Sequence, residues 1–370
     1  MKFTVASAEL QKALNRISGV VPSKSTLPIL ENILFSLTKN SLRLAATDLE
    51  VSMSAAIDVK GAEDGTVAAP AKRIMDTVRS LPDVQLVFHA DPSSNKIKMI
   101  TENGEYNLMG ESGEEFPTIP QFMADEQIAL SGATMKALIN RTIFSVSTDE
   151  LRPAMTGVLL QLKGNELRAV ASDGHRLVRI NYGNLKPKIK KDIIIPAKAL
   201  ALVSKSVEEN QNTMAVDTSH VQFTFGNTTL TSRLIEESYP NYESVIPLDN
   251  EKKLAVSKDL LLASVKRVSL YSSSTTHQVR FSLKKNEMLI AAEDIDFGGE
   301  AKEKIPCHYD AEPLEIGFNS GYVVDILSHI ESDDVVFRFS SPVRAAIVMP
   351  AAQKENEDVL MLVMPMRLNN

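Results

Sequence analysis

Three segments of this chain share one short pattern, an alternating apolar run that ends in a carboxylate. They are Leu42–Asp48, Leu167–Asp173 and Met288–Asp294, and their final aspartates lie 125 and 121 residues apart. A second pattern, Pro-Ala-Lys, recurs 126 residues apart at Pro70–Lys72 and Pro196–Lys198, where proline is expected at the first helical position. Recurrence at one period indicates a unit that is folded several times. The predicted domains are residues 1–125, 126–249 and 250–370.

The composition narrows the class of protein. With 370 residues, of which 44% are hydrophobic and 24% charged, the chain can bury several ordinary cores. Cys307 is the only cysteine, so no intrachain disulfide and no cysteine pair for zinc is available, and we expect no metal or cofactor. The N-terminus lacks the apolar core of a signal peptide, and no window approaches ~18 apolar residues. A cytoplasmic protein is therefore expected.

Each repeat alternates strands with two short helices, which is an α+β pattern. Period-two runs at 51–57, 97–100, 221–225 and 335–339 predict half-buried strands, mostly in antiparallel sheet. Apolar residues spaced three and four apart predict six amphipathic helices. Their predicted buried faces are Leu10, Ala13, Leu14 and Ile17; Ile74, Val78 and Leu81; Met135, Leu138, Ile139 and Ile143; Leu200, Val203 and Val207; Leu261, Val265 and Val268; and Val323, Ile326, Leu327 and Ile330. Linkers are predicted near Phe116–Pro120 and Tyr239–Pro247.

The helices are basic although the chain has a net charge of −7. Facing away from the apolar stripes are twelve bases against four acids, a strong segregation of sign. The twelve are Lys12, Arg16, Lys72, Arg73, Arg79, Lys136, Arg141, Lys198, Lys205, Lys258, Lys266 and Arg267. For any one helix a merely solvated amphipathic surface is an adequate explanation. Five helices of one sign favour a shared role, whereas the sixth, 319–330, has no Lys or Arg.

A basic surface on an acidic molecule is typical of a protein that surrounds a polyanion without gripping it. Lysine and arginine contacts to phosphate give salt-sensitive attraction that does not depend on base sequence. The chain has no Trp and 5% aromatic residues, so stacking of single strands is not favoured. If the repeats curve so that their helices face inward, topology retains a duplex, and weak binding then helps movement along it.

Six segments match one protein family. Along essentially its whole length the chain resembles the bacterial DNA polymerase III beta subunit family, the beta sliding clamps. The matching segments are Leu27–Leu30 with Asn32, Thr47–Glu50, Arg152 with Gly157, Ser172–Leu177, Tyr239–Pro240 through Tyr242 to Pro247, and Val363–Leu368. The resemblance implies three tandem DNA-clamp domains, with antiparallel sheets outside and two helices per domain inside, which close as a head-to-tail homodimer into a six-domain ring.

The resemblance also implies the function and the partners. A clamp of this family is a DNA polymerase processivity factor without catalytic activity, and it tethers the replicative DNA polymerase catalytic subunit to double-stranded DNA. Other implied partners are the clamp loader and repair or translesion polymerases, which bind through short peptides. The implied DNA-facing set takes the helix bases listed above without Lys258, and it adds Lys24, which matches a basic DNA-contacting position of the family. A flexible solvated lysine explains Lys24 equally well.

A partner-peptide cleft between the second and third domains is the other implied site. Methionines in its wall suit a surface that repacks around different ligands, and many partners must share it. The matching residues are Arg152, Met155, Ser172, Gly174, His175, Arg176, Leu177, Pro240, Val245, Val343, Leu362, Met364, Pro365, Met366 and Arg367. Ordinary packing of a C-terminal strand is the alternative for Met364 and Met366, and plain surface charge is the alternative for Arg152 and Arg367.

The chain departs from the family pattern at three places. Pro153-Ala154 stands where some members have aromatic residues, Ser172 replaces a common threonine, and Asn369-Asn370 extends the usual terminus. The first and last of these places lie beside the implied cleft.

Two other functions remain open at this point. A hydrolase using Asp173 and His175 has a carboxylate and an imidazole two residues apart, but none of the motifs that accompany such pairs. The equivalent Asp48 and Asp294 lack a nearby histidine, so a turn-capping role is preferred for all three. A protein-interaction scaffold without DNA is the other alternative, and the basic helices argue against it.

Overall fold

The structure, a computed structural model, describes residues 1–120, 122, 126–207 and 212–368. The Asn369-Asn370 extension lies outside these residues. The chain divides into two compact units: unit 1 holds Met1–Lys136 and Lys198–Leu234, and unit 2 holds Ala137–Ala197 and Ile235–Asn370. The described helices are α1 Ser7–Ile17, α2 Ala71–Ser80, α3 Gly132–Asn140, α4 Ala197–Ser206, α5 Lys258–Val268 and α6 Ser320–Ser328.

Unit 1 contains two antiparallel sheets. The first sheet has the order β5-β1-β7-β8-β9, and the second has the order β10-β6-β2-β3-β4-β18-β17-β16-β11. Strands of the first sheet are β1 Lys2–Ala6, β5 Lys60–Glu63, β7 Gln85–Ala90, β8 Lys96–Ile100 and β9 Glu105–Met109. Strands of the second are β2 Asn32–Thr38, β3 Ser41–Thr47, β4 Val51–Asp58, β6 Gly65–Pro70, β10 Glu111–Ser112, β11 Glu126–Leu130, β16 Asn212–Val216, β17 His220–Phe225 and β18 Thr228–Arg233.

Unit 2 also contains two antiparallel sheets. The third sheet has the order β15-β12-β13-β14-β27-β26-β25-β19-β23, and the fourth has the order β22-β21-β20-β24. Strands of the third sheet are β12 Gly157–Lys163, β13 Leu167–Ser172, β14 Arg176–Tyr182, β15 Lys190–Pro196, β19 Lys252–Ser257, β23 His308–Tyr309, β25 Asp334–Phe339, β26 Ala346–Pro350 and β27 Glu357–Val363. Strands of the fourth are β20 Gln278–Lys284, β21 Glu287–Asp294, β22 Gly299–Pro306 and β24 Leu314–Asn319.

The predicted periodicities agree with the elements. The four period-two runs lie in β4, β8, β17 and β25, and the named strand pairs of the described residues are antiparallel. The apolar face predicted for α1 is buried, as is the Leu261, Val265 and Val268 face of α5. Alternation and helical spacing reflect which side of an element is buried, so the strands and the helix faces could be predicted from the residues alone.

The position of proline at the start of α2 and α4 differs from the prediction. Pro70 caps α2 and Pro196 ends β15 directly before α4, so neither occupies the first helical position. Each proline still belongs to a ladder, since Pro70 lies opposite Asn32 and Pro196 opposite Gly157. The strand therefore continues through the proline, and the helix starts one residue later. The prediction of a helix at each Pro-Ala-Lys is otherwise confirmed.

Aromatic residues fill the core of each unit. In unit 1, Phe88 stacks on Phe3 and Phe35 with ring centroids 4.9 and 5.1 Å apart. In unit 2, Phe281 meets Phe318 and Phe337 edge-on at 5.4 and 6.4 Å. Such pairs add about 0.5–1.5 kcal/mol each beyond the burial of their area. The α1/α2 pair packs together in unit 1, and the α5/α6 pair packs together in unit 2.

The long sheets explain why the compact units differ from the three repeats. In unit 1, β4 of the first repeat pairs with β18 of the second, from Val51 opposite Ser232 to Ala55 opposite Thr228. In unit 2, β14 pairs with β27 of the third repeat, from Arg176 opposite Val363 to Tyr182 opposite Glu357. Continuous ladders across the repeat boundaries join each terminal repeat to part of the central one. The boundaries 1–125, 126–249 and 250–370 stay a prediction.

The described helices include none that is both long and apolar enough to cross a membrane.

Candidate functional site

The repeated aspartates cap three equivalent turns. Asp173 Oδ1 accepts from the backbone N–H groups of His175 at 2.8 Å and Arg176 at 2.9 Å. Asp48 Oδ1 accepts from residues 50 and 51, and Asp294 Oδ1 from residues 296 and 297. The preferred turn-capping role is therefore confirmed in all three repeats. Because the Asp173 carboxylate also accepts from Arg176 Nε at 3.0 Å, it is occupied by its own turn.

Eleven of the twelve predicted DNA-facing side chains are exposed. In unit 1 they belong to α1, α2, α3 and α4 and to the loop after α1, and in unit 2 to the end of α5. The exposed eleven are Lys12, Arg16, Lys24, Lys72, Arg73, Arg79, Lys136, Lys198, Lys205, Lys266 and Arg267. Exposed cations on helices give the sequence-independent attraction to phosphate that the charge segregation predicts.

Some of these cations have carboxylate neighbours within their own unit. Lys12 Nζ lies 2.8 Å from Glu9 Oε1, and Lys198 pairs with Asp48. Arg267 forms two hydrogen bonds with Glu303, at 2.8 and 2.6 Å, which hold the pKa of Glu303 below its ordinary value. Exposed pairs of this kind contribute only about 0–1 kcal/mol, so a phosphate can replace the carboxylate at little cost.

Arg141 is the exception, and its predicted DNA-facing role is wrong. Its side chain is 5% exposed, and its guanidinium donates to Glu357 Oε2 at 2.6 Å and to Glu331 Oε2 at 2.5 Å. A buried guanidinium whose two terminal nitrogens are held by carboxylates is out of reach of a phosphate. Sequence spacing placed Arg141 among the helix bases, but α3 ends at Asn140, and Arg141, the next residue, is buried.

A cavity of about 680 Å³ lies in unit 2 where the predicted cleft residues converge. Its floor comes from β13, β14 and β27, which contribute Ser172, Leu177 and Leu362, and one wall comes from the segment after β18. The lining residues are Met155, Ser172, Gly174, Arg176, Leu177, Tyr239, Pro240, Asn241, Tyr242, Ser244, Val245, Ile246, Pro247, Leu248, Asp249, Val343, Arg344, Ala345, Leu362 and Met364. The volume is that of a site for a peptide segment or a small molecule.

Buried apolar residues hold this cavity in shape. A core of buried residues that includes Leu177, Leu362 and Tyr242 lies beneath it, and Tyr239 and Ile246 pack against that core. The Tyr242 hydroxyl donates to Gln161 Oε1 at 2.6 Å and accepts from Arg168 at 3.0 Å. Burial raises the pKa of Tyr242, so its hydroxyl keeps its proton at neutral pH.

Arg176 is fixed by neighbours on all sides. Its Nε donates to Asp173, its Nη2 donates to the Phe144 carbonyl at 2.6 Å, and its Nη1 pairs with Asp325 of α6. The guanidinium also lies over the rings of Phe144 and Tyr322, 5.3 and 4.9 Å from their centroids. This arginine therefore shapes the cavity wall, and its charge is balanced inside the protein.

Apolar side chains are exposed around the cavity to an unusual degree. Val245 is 52% exposed, Val343 68%, Leu248 98% and Met364 40%, and all four line the same opening. Single exposed apolar residues are ordinary, but a contiguous group at a concave surface marks a place where a ligand removes apolar area from water.

Ten of the fifteen predicted cleft residues line the cavity, and Gly174 has a clear physical reason for being there. Gly174 has φ +92°, and a Cβ at that position would lie 3.1 Å from Arg152 Nη1. A side chain at Gly174 would therefore strain the turn. The ten are Met155, Ser172, Gly174, Arg176, Leu177, Pro240, Val245, Val343, Leu362 and Met364.

The other five predicted cleft residues lie outside the lining. Arg152 is held at the rim by Asp149 and donates to the Asp173 carbonyl at 3.2 Å, and the His175 ring lies 5.9 Å from Tyr322. The chain after Met364 turns towards β24, where Met366 N donates to the Gly317 carbonyl at 2.8 Å. Those outside are Arg152, His175, Pro365, Met366 and Arg367.

The prediction included Pro240, Val245 and Val343 but missed most of their neighbours in the proline-rich wall and in the loop before β26. Tyr239–Pro247 was predicted as a linker, yet Tyr242–Val245 forms a 3₁₀ turn that lines the cavity. Two tyrosines and several apolar residues in a supposed solvated linker were the available signal, because linkers seldom carry them. Nothing in the spacing indicated Arg344, which pairs with Asp249 across the rim.

In the described part of the chain no three His, Cys, Asp or Glu side chains are grouped so that they could hold a metal ion.

Comparison with known proteins gives one consistent family. Residues 1–120, 129–241 and 243–367 match the N-terminal, central and C-terminal domains of the DNA polymerase III beta subunit. The beta sliding clamp of Caulobacter vibrioides is 32% identical over 382 residues, covering all of both chains.

Solved structures agree with the sequence comparison over the full length. The DnaN sliding clamp of Pseudomonas aeruginosa bound to griselimycin has a TM-score of 0.93 and 29% identity, with complete coverage of both chains. The clamp of Bartonella birtlesii bound to griselimycin gives the same TM-score, identity and coverage. With three family domains in tandem along its length, this chain belongs to the DNA polymerase III beta subunit family, the beta sliding clamps.

Proposed function

We propose that two copies of this chain close head to tail into a ring that encircles duplex DNA, slides along it and holds partners through the unit 2 cavity. Family membership makes the chain a DNA polymerase processivity factor. The observation that carries the proposal is that one chain has both basic helices and an apolar cavity. A mobile tether needs both, because it must attract DNA and hold a partner protein at the same time.

The exposed helix cations form the proposed DNA surface. Eleven predicted side chains are solvent-exposed on a chain of net charge −7, which supports a local attraction for phosphate within an acidic molecule. Lysine and arginine contacts to phosphate carry no information about base sequence. Attraction without base readout allows movement along the duplex, and retention then comes from the closed ring.

The cavity forms the proposed partner site. Its exposed valines, Leu248 and Met364 suit an extended peptide with a hydrophobic anchor, and the methionine can adjust to different anchors. Partners proposed for it are the replicative DNA polymerase catalytic subunit, the clamp loader, and repair or translesion polymerases. Many partners competing for one cavity would make partner exchange a matter of relative affinity.

Two open sheet edges support the proposed dimer. β9 ends the first sheet of unit 1, and β22 ends the fourth sheet of unit 2. β9 carries the partly exposed Tyr106 and Met109, and the neighbouring β8 ends at the partly exposed Ile100. Exposed apolar residues also lie around β22, namely Leu270, Tyr271, Ile295 and Phe297. Unpaired edges attract other strands, so we infer that β9 of one copy meets β22 of the other.

We propose that the chain has no catalytic activity and that it acts in the cytoplasm. We also propose the domain boundaries 1–125, 126–249 and 250–370. The hydrolase alternative needs Asp173 as a base, but its carboxylate already accepts three hydrogen bonds from residues 175 and 176. Among the described residues His175 meets the Asp173 carboxylate through its backbone N–H alone, while its ring contacts Tyr322. The scaffold alternative leaves the basic helices without a role.

Retention on circular DNA tests the whole proposal. The purified chain is loaded onto a nicked circle with a matching clamp loader and ATP, and the circle is then linearised. Loss of bound protein only after cutting is the expected result, because a ring slides off a free end. Binding that is indifferent to cutting would point to ordinary electrostatic attachment and would refute encirclement.

A further inference from the structure

Charge is scarce in the cavity of unit 2. Among its twenty lining residues only Arg176, Asp249 and Arg344 carry a charge. Arg176 is 11% exposed and all three of its guanidinium nitrogens donate within the chain. Arg344 is different: its side chain is 56% exposed, and Asp249, 60% exposed, is the one ion-pair partner recorded for it in the described residues. Arg344 is thus the cation of the cavity that a ligand can reach.

A buried side-chain amide holds the backbone next to Arg344 at a fixed place on the rim. Asn250, which is 5% exposed, donates through Nδ2 to the carbonyls of Ala345 at 2.9 Å and Arg338 at 3.0 Å. This buried amide joins the chain after the Tyr239–Pro247 wall to the loop before β26. Arg344 and Asp249 therefore face each other beside Leu248 and Val343, the two most exposed apolar side chains of the lining.

We propose that Arg344 selects partner peptides that carry an aspartate or glutamate close to their hydrophobic anchor. This inference rests on the proposed peptide-binding function of the cavity and assigns it a specificity-determining residue. An incoming carboxylate replaces Asp249 on the guanidinium while the anchor occupies the apolar wall. Asp249 acts as an internal competitor, which lowers the attraction of Arg344 for anions that lack an anchor.

The interaction energies favour replacement of Asp249 by the peptide carboxylate on Arg344. An exposed Arg–Asp pair contributes little to stability, so releasing Asp249 costs little. The new pair forms beside apolar groups that the bound anchor removes from water, where hydrogen bonds to a charged group strengthen. A guanidinium is suited to this role because its planar donors meet both oxygens of a carboxylate.

Paired peptides test the assignment. Short overlapping peptides from the replicative polymerase catalytic subunit of the same organism are first screened for binding to the intact protein by calorimetry. The tightest binder is then made in versions with a single Glu or Gln at each position flanking its anchor. Wild-type protein is expected to prefer Glu over Gln by about fivefold at one flanking position, the size of an exposed charge pair.

Variants separate Arg344 from general charge effects. R344Q is expected to abolish the Glu preference, and D249N to enlarge it because the internal competitor is gone. R338Q, a matched loss of an exposed arginine that does not line the cavity, is the control and should keep the preference. Equal affinity for Glu and Gln at every position, or a preference that survives R344Q, overturns the assignment.

Failure of this inference is distinguishable from failure of the proposed function. If the Gln peptides bind wild-type protein and compete with the polymerase while no Glu preference exists, the cavity binds peptides and only the role of Arg344 is refuted. If no polymerase peptide binds, both the proposed cavity function and the inference that rests on it are refuted.

Discussion

Single residues decide how the cavity is built. Gly174 adopts φ +92° in the turn capped by Asp173, a conformation that L side chains rarely adopt. The same turn starts β14, which brings Arg176 and Leu177 to the cavity, and the His175 carbonyl accepts from Met364 N at 2.8 Å. One turn therefore connects the central repeat with the C-terminal segment at the binding surface.

The two terminal methionines are expected to differ in their effect on peptide binding. Met364 lines the cavity, so Met364→Ala should weaken binding of a polymerase peptide about tenfold by removing a wall of the anchor site. Met366 instead bridges to Gly317, and Met366→Ala is the matched control. Calorimetric titration measures both affinities. An equal loss in the two variants would contradict the placement of Met364 in the wall.

Arg141 is expected to matter for stability. Its guanidinium is buried against Glu331 and Glu357. Arg141→Ala leaves the mostly buried Glu357 without this partner, while Glu331 keeps Lys354, so the free energy of unfolding should fall by about 3 kcal/mol. Urea denaturation measures this loss. Lys136→Ala, which removes an exposed base on α3, is the control and should change stability by less than about 0.5 kcal/mol.

Acid should weaken the same cluster. Hydrogen bonding from Lys354, and then from Arg141, holds the pKa of Glu331 below its ordinary value of 4.5. Stability from this carboxylate is therefore complete above about pH 4.5 and is lost as the pH falls through the lower folded pKa. Thermal unfolding across this acid range should change less in Glu331→Gln than in wild type. Glu355→Gln, at an exposed carboxylate, should behave like wild type, and a wild-type slope in Glu331→Gln would oppose this account.

At the scale of elements, the helices other than α6 carry more basic than acidic residues. α2 carries Arg79 at its last turn, and α4 carries Lys198 and Lys205 seven residues apart on one side of the helix. α6 has no basic residue, and its Asp325 is paired with Arg176. The basic surface is therefore uneven along the chain, and α6 contributes to the cavity wall through Arg176.

Removing charge from α2 and α4 should change how DNA binding depends on salt. The triple variant of Arg79, Lys198 and Lys205 to Ala is expected to bind duplex DNA more weakly at low salt, with a log–log salt slope reduced by up to ~3. A fluorescence titration at several salt concentrations measures this slope, and peptide affinity should stay the same.

A second triple variant is the matched control. Lys163, Lys186 and Lys190 carry the same total charge but belong to β12, the loop before β15 and β15, outside the helices. Their replacement by Ala should leave the salt slope close to the wild-type value. Equal slopes in the two triple variants would mean that net charge alone, and not the helix surface, attracts the DNA.

At the scale of the whole molecule, association of two copies is expected to depend on the apolar group beside β22. Tyr271 is 49% exposed and Phe297 86%, so replacing both with Asp places charges where the partner copy should bury apolar area. The double variant should sediment as a monomer and fail to remain on circular DNA, yet bind peptide normally. Leu151→Asp changes an apolar residue that is 91% exposed elsewhere, and it should stay dimeric. A dimeric double variant would refute this contact.

Much of this protein was determined by its sequence alone. Alternation and helical spacing reflect which side of an element is buried, so strands such as β17 and the inner face of α1 were predictable. The fixed period indicated three repeats, and the aspartate turns followed because an Asx turn forms between residues that are close in the chain. Family membership rested on short segments in a specific order.

Tertiary structure decided the contacts between distant segments. Arg141 meets Glu331 and Glu357 about 200 residues later, and Arg344 meets Asp249 across a rim that no spacing indicates. The joining of β14 to β27, which makes the floor of the cavity, is also a pairing of remote strands. Periodicity records whether a side chain is buried but not against what, because the partner is chosen only when the sheets and helices pack.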